Sequence, residues 1–329
     1  MSLRFLIKLK IRWAINDIQK IYYPVLAAFG VPVNVIAITI LVWGKCGLSK
    51  CVTNYLVAMA AADLLVIIFD LILRQIPIAY RAEFLFLHYV PLCNIHAVIL
   101  YAATDCSVWF TVMFTFDRFV AICCQKLKSR HCTKKTACVV LGTVTVLSCL
   151  KNIFWYFMYY HQYWLFNDPW FCKVPQNVIT SIAWTIVELM HYIITPLFPF
   201  ILILLLNTLT VRNILVANRA RRRLRGPTTG DSPIDPEMGS RKKSMIMLFI
   251  ISGNFIVLWV MFIAYSILKR FDWLGYPVPL PTFVREIGFM LQLLSCCTNT
   301  FIYAVTQRKF REELKNGIMR PFTNLVKVI

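Results

Sequence analysis

Apolar residues in this chain fall in long unbroken runs, not in the short period-3.6 or period-2 stripes of half-buried helices and strands. Seven runs stand out, at about 22–43, 52–78, 92–123, 136–159, 178–214, 244–268 and 283–305. Each is long enough for a helix that crosses a bilayer, which needs about 20 residues. Helices satisfy their own backbone groups in lipid, so the pattern predicts an all-α membrane protein, a seven-helix bundle in one domain. The most polar stretch, RARRRLRGPTTGDSPIDPEMGSRKK at 219–243, is rich in Gly, Pro, Ser and Thr and reads as a loop. The organisation predicted is an arm over 1–21, a bundle over 22–306 with its third inner loop at about 215–243, and a tail over 307–329.

Both ends are amphipathic. MSLRFLIKLKIRWAINDIQK alternates basic and apolar residues, and Arg4, Lys8, Lys10 and Arg12 leave no apolar core for a secretory signal. It reads as a short helix on a membrane surface, as does QRKFREELKNGIM in the tail. Asn-Asp-Pro in HQYWLFNDPWFCKVP marks a turn in an aromatic loop between spans four and five. No Asn-x-Ser/Thr acceptor occurs.

Composition agrees with the pattern. Charged residues make up 15% of the 329, where a soluble domain carries about 25%, and the mean hydropathy is +0.66. The net charge of +20 raises nucleic acid as a partner. The charge sits in short loops and no base-stacking module accompanies it, so no nucleic acid is expected. Lys and Arg crowd the loops after spans one, three and five and the tail. That bias predicts a cytoplasmic C-terminus and an extracellular N-terminus in the plasma membrane, with lipid as a partner. The basic arm runs against this bias, and four other segments outweigh it. No P-loop, HExxH or nucleophile elbow occurs, and the 12 cysteines have no zinc spacing, so an enzyme is not expected.

Charges inside the spans are the informative residues, because each is costly in lipid. Asp63 lies mid-span. Asp117 and Arg118 lie near the basic end of span three; there Arg118 is either functional or simply snorkelling. Asp105 stands 13 residues outward of Arg118, roughly 20 Å, and Lys151 stands roughly 22 Å outward of the start of span four. The matching depths predict a buried ion pair, Asp105 with Lys151. The other readings are a ligand-facing Asp105 and a snorkelling Lys151.

Asn34, LVAMAAAD ending at Asp63, Cys93, Asp117-Arg118-Phe119, Trp259 and Asn299-Thr-Phe-Ile-Tyr303 occur in the order found in the rhodopsin-like G-protein-coupled receptors. The chain resembles that family over nearly its whole length. NYLVAMAAADLLVII is similar to the orphan group named probable G-protein-coupled receptor 139. The resemblance implies a receptor that binds an extracellular small molecule or peptide and activates a heterotrimeric G protein, with no cofactor beyond an allosteric sodium ion. It implies coupling through Asp117, Arg118, Phe119, Asn299 and Tyr303, and a disulfide between Cys93 and Cys172. It implies a sodium site of Asp63, Ser107 and Asn299; a protonated, hydrogen-bonded Asp63 with no ion is the other reading.

Family position further suggests a ligand pocket of Leu100, Tyr101, Thr104, Glu188, His191, Tyr192, Thr195, Trp259, Phe262, Ile263, Arg285 and Phe289. Leu100 replaces the carboxylate of amine receptors, which argues against a monoamine. The aromatic lining suits an aromatic amino acid or short peptide, with Arg285 and Glu188 to read a carboxylate and an amine. Departures from the family pattern are Met261 and Thr300 in place of prolines, Asn207 in place of a tyrosine, and Val144 near the place of a span-four tryptophan. Arg241, Lys242 and Lys243 stand where a span-six acid often pairs with the span-three arginine, so raised basal signalling is expected. A transporter or channel would need an internal repeat, and none is visible. A receptor fold that no longer signals is a third reading.

Overall fold

The computed structural model describes residues 3–44, 46–167, 170–224, 236–276 and 281–316. The Gly/Pro-rich core of the expected third loop at 225–235, the turn at Asp168–Pro169 and the tail at 317–329 lie outside the described residues. So do the side chains of Arg241, Lys242 and Lys243.

Among the described residues seven helices are long and apolar enough to cross a membrane. They are α1 (Leu3–Trp43), α2 (Lys50–Ala79), α3 (Cys93–Cys123), α4 (Lys134–Met158), α5 (Ile182–Ala217, continuing helical to Leu224), α6 (Pro236–Trp273) and α7 (Thr282–Thr306). A further helical segment, α8, covers 308–316. The arm and span one, expected as separate pieces, form one helix. Residues 3–23 contain no Gly or Pro, so nothing stops the helix between them. Span six is also longer than its apolar run, reaching Trp273 instead of ending near 268.

Helix α3 is the axis. Of its apolar window 72% is buried inside the protein, against 17% for α4, which presents Val139, Leu147, Leu150 and Phe157 outward. Two irregularities aim side chains at that axis. In α2, Ile67–Gln75 is wound as a π-helix, and Asp70, Arg74 and Gln75 are all buried. Such wide turns gather at functional sites. In α5, Thr195 leaves the helical region at φ −148°, ψ 114°. The following Pro196 disfavours the helical conformation for Thr195.

The aromatic loop after α4 folds into a lid. Trp164 N–H donates to Phe171 O at 2.7 Å and Lys173 N–H to Gln162 O at 2.9 Å. The Cys93–Cys172 disulfide ties this loop to the first turn of α3. His96 closes the seam: one ring nitrogen is 2.7 Å from Phe69 O and so carries the proton, and the other is 3.1 Å from the Tyr163 hydroxyl. Burial pushes the Tyr163 phenol up to about 12, so it stays protonated and donates to His96.

Close packing elsewhere depends on small residues. A Cβ on Gly30 of α1 would lie 2.6 Å from Cys297 Sγ and 2.9 Å from Ile67 Cδ1. Gly30→Val is therefore expected to cost about 1–3 kcal/mol, read as a lower unfolding midpoint of the purified protein. Gly142→Ala, where nothing lies within 4 Å, should leave that midpoint unchanged or raise it.

Candidate functional site: a cavity beneath the lid and a charged pair at the opposite end

Below the lid a narrow cavity opens between α2, α3, α5, α6 and α7, with about 430 Å³ of atom-free space when the part open to solvent is counted. Nine of the twelve expected residues line it: Leu100, Tyr101, Thr104, His191, Tyr192, Thr195, Trp259, Phe262 and Phe289. Trp259 forms the deep wall and is fixed by its indole N–H on Ser295 Oγ at 2.9 Å. Phe262 packs against Trp259, Tyr192 and Phe289.

Three expected residues lie outside the wall. Ile263 is buried in the cluster that α3, α5 and α6 share. Glu188 is fully buried and turned to Arg270, with Arg270 Nη2 3.3 Å from its Oε1. Arg285 pairs with its neighbour Glu286 at 2.8 Å and donates to Asn167 O at 2.8 Å. Glu188 and Arg285 thus do not face a common ligand space. Depth along a helix is readable in a sequence, but rotation about its axis is decided by neighbours.

The cation at this cavity is Arg74. Its Nη1 donates to Asp70 Oδ1 at 3.2 Å, and its Nε and Nη2 hold Asn167 of the lid at 3.3 and 3.1 Å. The guanidinium stacks 5.0 Å from the Phe171 centroid and 4.9 Å from that of Phe289. A cation held this way is stabilised by ring quadrupoles as well as by its carboxylate. Arg270 is held similarly, over Trp170, Tyr192 and Trp273 at 4.7, 4.7 and 5.1 Å. Asp70, Arg74, Trp170 and Gln292 line the cavity and were not among the expected site residues.

Asp105 also lines the cavity, and Lys151 Nζ lies 2.6 Å from its Oδ2. Asn152 Nδ2 donates to the same oxygen at 2.6 Å. Lys151 reaches Thr195 Oγ1 at 3.1 Å, and Trp109 Nε1 donates to that hydroxyl at 3.0 Å. The non-helical Thr195 thereby joins α3, α4 and α5 in one network.

Deeper in the bundle, Ser107 Oγ donates to Asp63 Oδ1 at 2.6 Å and Asn299 Nδ2 to Oδ2 at 2.7 Å. The set fits a small hard cation in kind, with a carboxylate, a hydroxyl and an amide. In this arrangement both carboxylate oxygens are taken by protein donors, and the amide nitrogen of Asn299, not its oxygen, faces Asp63.

At the far end of α3, Arg118 Nε donates to Asp117 Oδ2 at 3.0 Å. Cys51 of α2 donates to the same carboxylate, its Sγ 3.2 Å from Asp117 Oδ1, and Cys132 Sγ lies 3.6 Å from the backbone carbonyl of Asp117. Phe119, the third residue of that motif, is half-buried. Tyr303 is fully buried against Phe310 of α8, and its hydroxyl has no partner among the described residues.

A seven-helix bundle with this lid, central helix and charged pair can be compared with known proteins. The family profile described as 7 transmembrane receptor (rhodopsin family) matches residues 33–303. The chain belongs to the rhodopsin family of seven-transmembrane receptors. It is a multi-pass membrane protein and a signalling receptor, and the family's members are receptors, not enzymes. It is similar to "Probable G-protein coupled receptor 142" of Mus musculus, 24% identical over 317 residues that cover 92% of this chain and 73% of that one. That relative differs from the orphan group suggested by the NYLVAMAAADLLVII stretch.

Breaking a buried ion pair from one side costs about 3–5 kcal/mol, because it strands a charge. Asp105→Asn and Lys151→Met are each expected to lower surface expression of the receptor several-fold, and the double substitution should restore most of it. Normal expression of both single variants would show that the pair holds nothing together.

Proposed function

We propose that this receptor is activated by an aromatic amino acid or short aromatic peptide entering beneath the lid, and that it relays this to a heterotrimeric G protein at the Arg118 end. The lid then faces the extracellular side of the plasma membrane and the C-terminus the cytoplasm, as the basic loops favour. The observation that carries the ligand reading is the cavity itself. Aromatic rings line it from Phe289 down to Trp259, and the lining cation Arg74 is held on Asp70 and on the rings of Phe171 and Phe289. A guanidinium has five N–H donors, so Arg74 keeps capacity for a ligand carboxylate.

The test is nucleotide exchange on purified G protein with the receptor in lipid nanodiscs. Phenylalanine and tryptophan are expected to raise exchange. Basal exchange should exceed that of Arg118→Ala, since the stretch where a span-six acid would stand is basic. A receptor whose basal exchange equals that of Arg118→Ala and which none of the G proteins reports would overturn the signalling reading.

Sodium at Asp63 is part of the same proposal. An ion there would take over the two carboxylate oxygens from Ser107 and Asn299 and hold the resting arrangement, which lowers agonist affinity. Added sodium should weaken agonist binding to the parent several-fold and leave Asp63→Asn unaffected. If Asp63→Asn responds to sodium like the parent, the ion sits elsewhere or nowhere.

A further inference from the structure

The cavity has a second polar feature, and it concerns the charge of the ligand. Its buried charges are already matched. Asp70 faces Arg74 at 3.2 Å and Asp105 faces Lys151 at 2.6 Å, which sums to zero. A ligand with net charge would leave one charge uncompensated in a site walled by rings, which is unfavourable. The hydrogen-bonding groups, by contrast, are unbalanced. Asp105 Oδ1, Gln292 Oε1 and His191 Nδ1 line the cavity, are buried, and have no hydrogen-bond partner. Among the donors at the cavity, Arg74 is held by Asp70 and Asn167 with two N–H groups to spare, and the Trp259 indole is engaged with Ser295. Just behind the wall, Lys151 is engaged with Asp105 and Thr195.

We propose that Asp105 Oδ1 is the acceptor for a ligand ammonium group, with Gln292 and His191 beside it, and that the ligand carries its own negative charge. This rests on the reading of the cavity as the ligand site and names the group that the ligand must bring. Helix direction supports the placement. Side chains lean toward the N-terminus of their own helix. Helix α3 begins at the lid and α2 ends there, so Asp105 leans outward and Arg74 inward, toward one another across the cavity. An ammonium on Asp105 and a carboxylate directed to Arg74 describe a zwitterion. Lys151 is what makes the site demand one: it cancels the charge of Asp105 and leaves only its hydrogen-bonding oxygen to offer. A bare amine would add an unmatched positive charge, and an N-acylated acid an unmatched negative one.

The experiment compares phenylalanine, N-acetylphenylalanine and phenethylamine, with tryptophan and its two counterparts, in G-protein activation by the full-length receptor. The free amino acids are expected to be at least about 10-fold more potent than either counterpart, the loss that accompanies one unmade charge-assisted hydrogen bond. Lys151→Met leaves the charge of Asp105 uncancelled, so on that variant phenethylamine should gain at least about 10-fold on phenylalanine relative to the parent. N-acetylphenylalanine or phenethylamine matching phenylalanine on the parent would overturn the assignment and leave the aromatic-ligand reading standing. So would a Lys151→Met variant that keeps the parent's full preference for phenylalanine over phenethylamine. No response to any of the six would remove the aromatic-ligand reading, and this assignment with it.

Discussion

Lipid does not solvate a charge, and this bundle is ordered by that constraint. Its intramembrane charges are answered by protein groups. Asp70 takes Arg74, Asp105 takes Lys151, Glu188 takes Arg270, and Asp63 takes two uncharged donors from α3 and α7. Most of these contacts join different helices, so they set the register of one helix against the next. Greasy side chains alone do that weakly, because the tails of the lipid are as apolar as leucine. The α3–α4–α5 contact shows the effect. Helix α4 is mostly exposed, yet Lys151 and Asn152 bind Asp105, and Lys151 continues to Thr195.

The same constraint explains why some of the site was legible in the sequence. Unbroken apolar runs mark spans whatever their neighbours do. A charge within a run has a depth that arithmetic at 1.5 Å per residue supplies, and equal depth was enough to match Asp105 with Lys151. Asp70 and Arg74 were equally visible, four residues apart in an apolar run, but Arg74 lies close enough to the span's end to pass for an interfacial residue. Arg270 was hidden differently. The apolar run stops at Lys269, so the helix was ended at 268, while the structure carries it on to Trp273 beneath a cover of aromatic rings. Azimuth was not legible. Glu188 and Arg285 have suitable depths, and the first turns to Arg270 while the second turns to Glu286 and Asn167.

The lid and the cavity are one construction. Asn167 is held by Arg74 from α2, and its backbone oxygen by Arg285 from α7. Phe171, one residue before the disulfide, lies on Arg74 and beside His96. Arg74 therefore binds the lid and lines the cavity at the same time. A ligand group that draws on Arg74 necessarily competes with, or adds to, the hold on Asn167.

At the deep end of the cavity the departures from the family pattern have a structural counterpart. With Met261 and Thr300 in place of prolines, α6 runs unbroken past Trp259, and α7 runs unbroken through Thr300, whose hydroxyl donates to Val33 O of α1 at 3.2 Å. Two side-chain ties bind these helices: Trp259 to Ser295, and Asn254 to Thr298 at 2.9 and 3.2 Å. Gly288 brings their backbones close, since a Cβ there would sit 3.1 Å from Phe262 Cα. Helices α6 and α7 are therefore tied to one another at three levels along their length. Trp259 donates to Ser295 by a buried hydrogen bond, and one turn further along α7 Asn299 holds Asp63. The contacts thus run without a break from the cavity wall at Trp259 through α7 to the Asp63 cluster on α2 and α3, beside an α6 that has no proline at Met261 to kink it.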